Sequence, residues 1–226
     1  APMEAMALPV LARLALEGHE TVLDAGCGSG RVTRHVVDAV PRGRVIAVDA
    51  DADMVRAAAE TLRGPADKVR DTDVTVRQVD LLELDLAALD IGIDAVDAVF
   101  STATFHWIKD HDTLFARMFA ALVPGGRFEA QCGGGHNIAR VHAIAGEVAQ
   151  QSQYAGPLHD AEAVTNFYTP GQTGPRLAAA GFVAARCWLE EVPVVPEDPI
   201  GYLATIILGQ HVERLGEELG MRFVHE

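Results

Sequence analysis

The sequence has few cysteines, few basic residues and no long hydrophobic run. Its 226 residues include only 3 cysteines, Cys27, Cys132 and Cys187, which are far apart. This spacing argues against a disulfide framework and a zinc ribbon, and it is typical of a reducing compartment. No apolar run approaches the ~20 residues that a membrane span requires, and no signal peptide is visible. We therefore expect a cytoplasmic protein.

The charge balance is strongly acidic. The chain has 18 Lys and Arg residues against 32 Asp and Glu residues, which gives a formal net charge of -14. Nucleic acid and anionic membrane surfaces are bound by clustered basic residues, and here the basic residues are scattered. We therefore expect a small-molecule partner, with no nucleic acid and no membrane.

Short apolar runs alternate with helical segments along the first 132 residues. This rhythm predicts the α/β class, with a Rossmann-like, doubly wound and mostly parallel sheet. The predicted strands are residues 21–25, 44–50, 73–80, 95–101 and 127–132. The predicted helices that go with these strands are residues 3–16, 31–40, 53–62 and 111–122. A further helix is predicted at residues 174–180.

The rest of the chain departs from that rhythm. Residues 137–168 predict a largely helical lid insertion after the fifth strand, residues 181–195 a further strand, and residues 199–216 an apolar helix. A sheet of this type normally gains one more strand, antiparallel at its edge, and no segment is left for it. We therefore expect a trimmed version of a longer chain. The expected organisation is a single domain over residues 1–226, whose core is residues 20–135 and 170–195 and whose helical cap is residues 136–169 and 197–226.

The stretch TVLDAGCGSG (residues 21–30) carries the strongest functional signal. Gly26, Gly28 and Gly30 directly follow the first strand, where open α/β sheets bind their ligands. Glycines allow a tight turn and a close approach of the backbone to a ligand. Asp49 ends the second strand and could accept hydrogen bonds from the diol of a ribose. These features fit a nicotinamide dinucleotide as well as other adenosine-containing cofactors.

Two residues favour a cofactor without phosphates. Arg31 occupies the position of the third glycine in the dinucleotide fingerprint G-x-G-x-x-G. The Asp24 carboxylate precedes the glycines, and burying it beside phosphates would bring like charges together. S-adenosylmethionine has no phosphate and carries an ammonium and a sulfonium, so an acid near the loop becomes favourable. The alternative for Asp24 taken alone is a role as a turn or helix cap.

Four motifs follow one another along the chain: VLDAGCGSGRVTRHV, VIAVDADADMV, VRQVDLLEL, and a run from AVFSTATFHW to LVPGGRF. Together they resemble the ordered motifs of class I S-adenosylmethionine-dependent methyltransferases. The FHW segment and the helical insertion are similar to trans-aconitate methyltransferase-like and related small-molecule enzymes. The resemblance implies Asp24 and Gly26 near the methionine moiety, Asp49 on the ribose, and Asp80 with Leu81 at the adenine.

The predicted cofactor-binding residues lie at the carboxyl ends of the first four strands. They are Asp24, Ala25, Gly26, Cys27, Gly28, Gly30, Asp49, Ala50, Asp80, Leu81 and Ser101. For Asp80 the alternative is that it merely opens a loop. We expect Cys27 to be an inert packing residue, because it has no resolving cysteine nearby.

The acceptor side is less defined by the sequence. Methyl transfer from a sulfonium depends mainly on alignment, and we expect O-methylation of a carboxylate or a hydroxyl. A hydroxyl would need a general base, for which His106 is the candidate; packing against the cofactor is its alternative. Trp107 and His136 are candidates for the substrate pocket, although His136 could equally be solvated. The histidines show no metal-ligand spacing, so no metal is expected.

Four other functions remain open at this point, one of which is a catalytically silent binding protein that retains the fold. A C- or N-methyltransferase acting on a small molecule would use the same cofactor loop. A protein or RNA methyltransferase is less compatible with the acidic balance and the missing basic rim. An NAD-dependent oxidoreductase is disfavoured by Arg31 and Asp24.

Overall fold

Five parallel strands form the central sheet. The structure, a computed structural model, describes residues 2–63, 72–159 and 165–226. The strands are β1 (Thr21–Ala25), β2 (Arg44–Asp49), β3 (Asp73–Gln78), β4 (Val96–Thr102) and β5 (Leu122–Gln131). Their order across the sheet is β3-β2-β1-β4-β5, and every neighbouring pair is parallel. The predicted Rossmann-like, doubly wound sheet is therefore confirmed.

Helices connect and follow these strands. Those described are α1 (Pro2–Arg13), α2 (Thr33–Ala39), α3 (Ala52–Leu62), α4 (His111–Ala120), α5 (Ala139–Ala149), α6 (Ser152–Leu158), α7 (Pro170–Ala180), α8 (Pro199–Tyr202), α9 (Gly209–Leu215) and α10 (Glu217–His225). A π-helical segment, Leu203–Ile207, follows α8. None of the helices in the described ranges has the length and apolarity needed to cross a bilayer.

The sheet is buried on both faces, which is why its central strands are apolar almost without interruption. Alternate residues of β1 and β4 point to opposite faces. Leu23 and Val99 belong to a core that also contains residues of α4 and α7, whereas Val22 and Ala98 belong to a core that contains residues of α1, α2 and α3. Helices therefore cover both faces and leave the strand ends to build a site.

The chain forms two compact units. The first comprises residues 1–135 and 165–189 and holds the sheet. The second comprises residues 136–164 and 190–226, and its described elements are helical. Its own core surrounds Tyr154, which is fully buried and packs against the Phe223 ring with 5.1 Å between ring centroids. The single domain with a helical lid stays a prediction.

The predicted strand at residues 181–195 is wrong. These residues are irregular and make no ladder hydrogen bonds to a neighbouring strand, and Val183 and Val195 are 89% and 88% exposed. The apolar residues in this stretch suggested a strand, but a strand also needs a partner for its backbone groups. Pro193 removes one of the N–H groups that a ladder would use.

The fourth helix ends earlier than the sequence suggested, and the fifth strand begins earlier. The prediction extended the helix to residue 122 and began the strand at residue 127, whereas α4 ends at Ala120 and β5 begins at Leu122. The residues between Leu122 and Arg127, which include Pro124, form an irregularity in the β4–β5 register. A bulge of this kind accommodates a proline that cannot donate to the ladder.

A buried carboxylate fastens the start of the sheet. Glu20, directly before β1, is 4% exposed. Its carboxylate accepts hydrogen bonds from the N–H groups of Glu17 at 2.7 Å, Gly18 at 2.9 Å and His19 at 3.1 Å, and from Arg127 Nη2 at 2.8 Å. Burial opposes ionisation, but these donors overcome it and lower the pKa of Glu20 to about 2.

Replacing Glu20 with Ala is expected to lower the free energy of unfolding by about 3 kcal/mol at pH 7, because three backbone donors lose their acceptor. The pKa of Glu20 is lower in the folded protein than its ordinary value of 4.5. Its stabilisation is therefore complete above that value and is lost as the pH falls towards 2. Urea denaturation at pH 7 and pH 3 measures both effects.

The exposed neighbour Glu17 provides the matched control for Glu20. Its carboxylate is at the surface, so Glu17→Ala should change the unfolding free energy by less than about 0.5 kcal/mol. A loss below about 1 kcal/mol for Glu20→Ala at pH 7 would contradict the structural role of this carboxylate.

Candidate functional site

The turn between β1 and α2 is tied to the carboxyl end of β2. The N–H groups of Gly26 and Cys27 both donate to the Val48 carbonyl, each at 2.9 Å, and Gly30 N–H donates to the Cys27 carbonyl at 3.0 Å. These bonds hold the turn where the first two strands end. In a parallel sheet this is the edge at which ligands bind.

Gly26 is required by a close contact that the sequence does not reveal. Its φ is +88°, and a Cβ atom placed there would lie 2.2 Å from both Cγ2 and Oγ1 of Thr104. The Thr104 hydroxyl lies 3.1 Å from the Gly26 carbonyl and 3.0 Å from the Thr102 carbonyl, within donating distance of both. Thr104 therefore fastens the glycine turn to the segment that follows β4.

Gly28 differs from Gly26 because the space beside it is open. Its φ is +52°, and a Cβ atom there would meet no atom of a described residue within 4 Å. Its N–H donates to Asp49 Oδ2 at 2.8 Å, and the other carboxylate oxygen of Asp49 accepts from Asp51 N–H at 3.0 Å. The structure therefore brings Asp49 to the glycine turn, beside a volume that the protein leaves unfilled.

Asp24 is a buried carboxylate without a complete set of partners. It is 2% exposed, and its Oδ2 atom has no hydrogen bond from any described residue. Burial raises the pKa of Asp24 to about 7; the Thr33 hydroxyl opposes the rise and the Asp49 charge adds to it. Among the residues that the structure describes, Thr33 Oγ1 has no hydrogen-bond partner. None of the described hydrogen bonds makes Asp24 a turn or helix cap.

The remaining predicted cofactor residues lie at the same edge of the sheet, with different exposures. Ser101 is buried and donates through Oγ to the Ala25 carbonyl at 2.6 Å. Asp80 is exposed and accepts from Leu82 N–H at 2.9 Å, whereas Leu81 is 4% exposed and belongs to the core. The Ala50 carbonyl accepts from the Gln78 side chain at 3.0 Å. The Ser101 hydroxyl is thus engaged by the backbone of β1, and the Asp80 side chain is more accessible than those of Ser101 and Leu81.

Cys27 lies inside the turn and is buried. Its side chain is 8% exposed, and it belongs to the core on the α2 face of the sheet. Burial raises the pKa of the Cys27 thiol far above its ordinary value, and the charges of Asp24 and Asp49 act in the same direction. A thiol that stays protonated is a poor nucleophile, so this cysteine acts by packing.

A short aromatic segment follows β4. Its 3-10 turn, Phe105–Trp107, contains His106, which is half-buried, and Trp107, which is 46% exposed. The ring centroid of His106 lies 5.0 Å from that of Trp107 and 5.9 Å from that of Phe167. These three rings form one cluster in the first unit, close in sequence to the Thr104 contact.

The segment at residues 165–169 is fastened to this aromatic turn. Asn166 N–H donates to the His106 carbonyl at 2.7 Å, and the Tyr168 hydroxyl donates to the Lys109 carbonyl at 2.9 Å. The Tyr168 carbonyl in turn accepts from Gly135 N–H at 3.1 Å. Sequence reasoning did not assign Asn166 to the site, because no local pattern reveals a pairing between residues so far apart.

His136 and His111 differ in their surroundings. His136 is the first residue of the second unit, and its carbonyl accepts from Ala139 N–H at 3.1 Å; its part in a substrate pocket stays a prediction. His111 is buried and its Nε2 atom lies 2.9 Å from the Phe105 carbonyl. Among the described residues no group of three potential metal ligands comes together.

Residues 22–126 match the family described as the methyltransferase domain. Two curated relatives are trans-aconitate 2-methyltransferases. The chain is 35% identical to the Azoarcus sp. protein over 117 residues, which is 52% of this chain and 40% of the relative. It is 31% identical to the Paracidovorax citrulli protein over 155 residues, which is 69% of this chain and 54% of the relative. The chain thus spans about half the length of the curated relatives it matches.

Solved structures show the same fold. A cyclopropane synthase from Mycobacterium tuberculosis superposes with a TM-score of 0.59 at 18% identity, over 80% of this chain and 61% of that one. The match to the methyltransferase domain runs from β1 to the start of β5, and it includes the glycine turn and Asp49. Residues 22–126 therefore form a methyltransferase domain, and the comparisons support a class I S-adenosylmethionine-dependent methyltransferase similar to the trans-aconitate methyltransferase group.

Proposed function

We propose that this protein transfers a methyl group from S-adenosylmethionine to a small-molecule acceptor, by O-methylation. The observation that carries the proposal is the pairing of a buried, incompletely paired carboxylate, Asp24, with an open glycine turn held by Asp49. When bound, the cofactor supplies an electrophilic methyl group on a positively charged sulfur. An acid beneath the turn suits such a cation and disfavours the phosphates of a dinucleotide.

The proposed cofactor contacts follow from the placement of these residues. Asp49 retains acceptor capacity beyond its two backbone bonds, since an ionised carboxylate has about four lone-pair sites, so it can also accept from a ribose diol. Asp80 is accessible for the amine of an adenine, with the apolar Leu81 beside it in sequence. Gly28 leaves open space where the backbone approaches the ligand.

The acceptor is proposed to be a carboxylate or a hydroxyl of a small molecule. The two curated relatives are named trans-aconitate 2-methyltransferases, which favours a polycarboxylate for this chain too. The net charge of -14 disfavours a nucleic acid. His106, Trp107 and Phe167 form the aromatic cluster available to the acceptor in the first unit.

The residues would act mainly by alignment. Transfer needs the acceptor oxygen, the methyl carbon and the sulfur in line, and a well-oriented pair of reactants can gain roughly 7–11 kcal/mol over free encounter. No covalent nucleophile of the protein is needed, which agrees with the protonated, packed thiol of Cys27. Water must be excluded from the reacting atoms, a task that suits the aromatic cluster.

Titration calorimetry of the wild-type protein with S-adenosylmethionine, S-adenosylhomocysteine and NADH tests the cofactor. Micromolar binding of the first two and no binding of the third are expected. Asp49→Ala removes the hydrogen bond from the Gly28 N–H of the turn, the one from the Asp51 N–H and the proposed ribose contact, so the affinity for S-adenosylmethionine should fall about 100-fold. Binding of NADH alone would overturn the proposal.

Asp53→Asn is the control for Asp49→Ala. Asp53 is an exposed residue at the start of α3 that pairs with Arg56 at 2.7 Å, so the affinity of this variant should stay within about 2-fold of the wild type. Transfer of a radiolabelled methyl group to trans-aconitate and other polycarboxylates, against protein and RNA fractions, then tests the acceptor class. Label in the macromolecular fractions alone would contradict a small-molecule acceptor.

A further inference from the structure

His106 is held at three points in the segment after β4. Its carbonyl accepts a hydrogen bond from Asn166 N–H at 2.7 Å. Its side-chain Nδ1 atom accepts a hydrogen bond from Gly133 N–H, with 3.3 Å between the two nitrogen atoms. The rings of Trp107 and Phe167 flank the imidazole. The position and orientation of this ring are therefore set by the backbone of β5's carboxyl end and by two aromatic neighbours.

The bond from Gly133 determines which ring nitrogen carries the proton. A backbone N–H can only donate, so Nδ1 must keep its lone pair, and in a neutral imidazole the proton then lies on Nε2. In a doubly protonated ring, Nδ1–H would point at the Gly133 N–H, and two donors would face each other. The hydrogen bond from Gly133 therefore excludes the doubly protonated ring. His106 is thus a neutral ring with its N–H on Nε2.

The surroundings of the ring support the neutral form. Burial lowers the pKa of His106 to about 4, and the nearby His111 of α4 acts in the same direction. Burial raises the pKa of Cys132, which precedes Gly133, to about 11. Cys132 is therefore an uncharged thiol near pH 7 and does not stabilise a protonated imidazole. The pKa of His111 is itself lowered by burial, so both imidazoles are neutral near pH 7.

Within the described residues, the hydrogen bond of the His106 side chain involves Nδ1. The Nε2–H group therefore has no acceptor among those residues. The geometry points to His106 as a positioning residue, which donates a hydrogen bond through Nε2–H to an oxygen of the methyl acceptor. This role rests on the proposed methyl transfer. It differs from the general base that the sequence suggested, because the nitrogen that faces away from Gly133 already holds a proton.

A donor at this position selects an acceptor that arrives deprotonated. When an acceptor oxygen of a carboxylate attacks, the oxygen–carbon bond forms, the carbon–sulfur bond breaks and its electron pair stays on sulfur. No proton moves in that step, so no base is needed. The Nε2–H group would bind the second carboxylate oxygen and orient the first, whereas a neutral hydroxyl would find no base in His106.

Nitrogen NMR of the full chain with ¹⁵N-labelled histidine tests the tautomer directly. The expected result is a His106 signal of the Nε2–H form that does not change between pH 5.5 and pH 8. A signal of the Nδ1–H form, or a titration near the ordinary histidine pKa of about 6.5, would overturn the assignment. This result does not depend on any enzymatic activity.

Two variants test the role in transfer. His106→Gln can accept from Gly133 through its amide oxygen and donate through its amide nitrogen, whereas His106→Phe does neither. With trans-aconitate as acceptor, the Phe variant should raise KM for the acceptor about 10- to 100-fold, and the Gln variant less than about 5-fold. The affinity of both for S-adenosylmethionine should stay within about 2-fold of the wild type.

The pH profile separates a donor from a base. With saturating S-adenosylmethionine, the wild-type value of kcat/KM for the acceptor should be flat between pH 6 and pH 8, whereas a base at His106 would give a rising limb that both variants remove. Such a limb, or a Gln variant as impaired as the Phe variant, would overturn the donor role. Absence of methyl transfer by the wild type would instead overturn the proposed function.

Discussion

Replacing Asp24 with Asn should make the protein more stable at pH 8 by about 2 kcal/mol. In the folded chain burial raises the pKa of Asp24 from its ordinary value of 3.8 to about 7, so at pH 8 a charged carboxylate is buried without full compensation. An amide of the same shape avoids that charge. For a chain of this size the increase corresponds to a rise in Tm of about 4–8 °C.

The sign of the pH dependence distinguishes this effect from a general stabilisation. Between pH 4 and pH 7 folded Asp24 keeps a proton that unfolded Asp24 has released, so the stability contributed by this group falls as pH rises through that range. The wild type and Asp24→Asn should therefore be nearly equal in stability at pH 4 and diverge by pH 8. Urea denaturation at both values, with Asp53→Asn as an exposed control, measures the divergence.

The same substitution should weaken cofactor binding. A cationic ligand end near Asp24, as proposed, favours the ionised carboxylate, so wild-type affinity for S-adenosylmethionine should increase from pH 6 to pH 8. Binding at pH 6 should release up to one proton, which calorimetry in buffers of different ionisation enthalpy detects. The Asn variant should release none and bind about 10-fold more weakly or worse. A wild type and variant with parallel pH profiles would contradict this role of Asp24.

The sequence allowed the sheet to be predicted because its three central strands are buried on both faces. Thr21–Ala25 and Arg44–Asp49 read as short apolar runs that end in an acid or a glycine turn, and periodicity alone marks such runs. Residues 181–195 were mistaken for a strand because apolar character does not reveal whether a sheet edge is available as partner. Pairing is a property of the assembled fold, and no window of local sequence contains it.

The candidate site was predictable in part for a similar reason. Gly26, Asp24 and Asp49 were predicted because they follow consecutive buried strands, whose carboxyl ends meet at one edge. Thr104 was missed because its contact with Gly26 joins two loops that are distant in sequence. The protonated nitrogen of His106 likewise depends on a contact with Gly133, which is distant in sequence. The sequence therefore predicted His106 as a site residue but did not predict which of its ring nitrogens carries the proton.

Replacing Gly26 with Ala should disrupt both the fold of the turn and cofactor binding. A Cβ atom at Gly26 would overlap Thr104, 2.2 Å away, at a φ of +88° that L residues rarely adopt. Strain and overpacking of this kind together cost about 3 kcal/mol or more. Because the turn is also bonded to Val48 of β2 and to Thr104, its displacement should lower the affinity for S-adenosylmethionine more than about 100-fold. Urea denaturation and titration calorimetry measure the two losses.

Gly28→Ala is the matched comparison, since it adds the same methyl group two residues further along the turn. In the described part of the chain no atom lies within 4 Å of the new Cβ, and φ is +52°, so the expected loss of stability is only about 1 kcal/mol. The methyl group would, however, enter the open space beside the turn that the cofactor is proposed to fill. A folded Gly28→Ala protein whose affinity falls about 10-fold or more would locate the ligand at Gly28. Undiminished affinity in that variant would mean that the ligand binds elsewhere, whatever Gly26→Ala does to the fold.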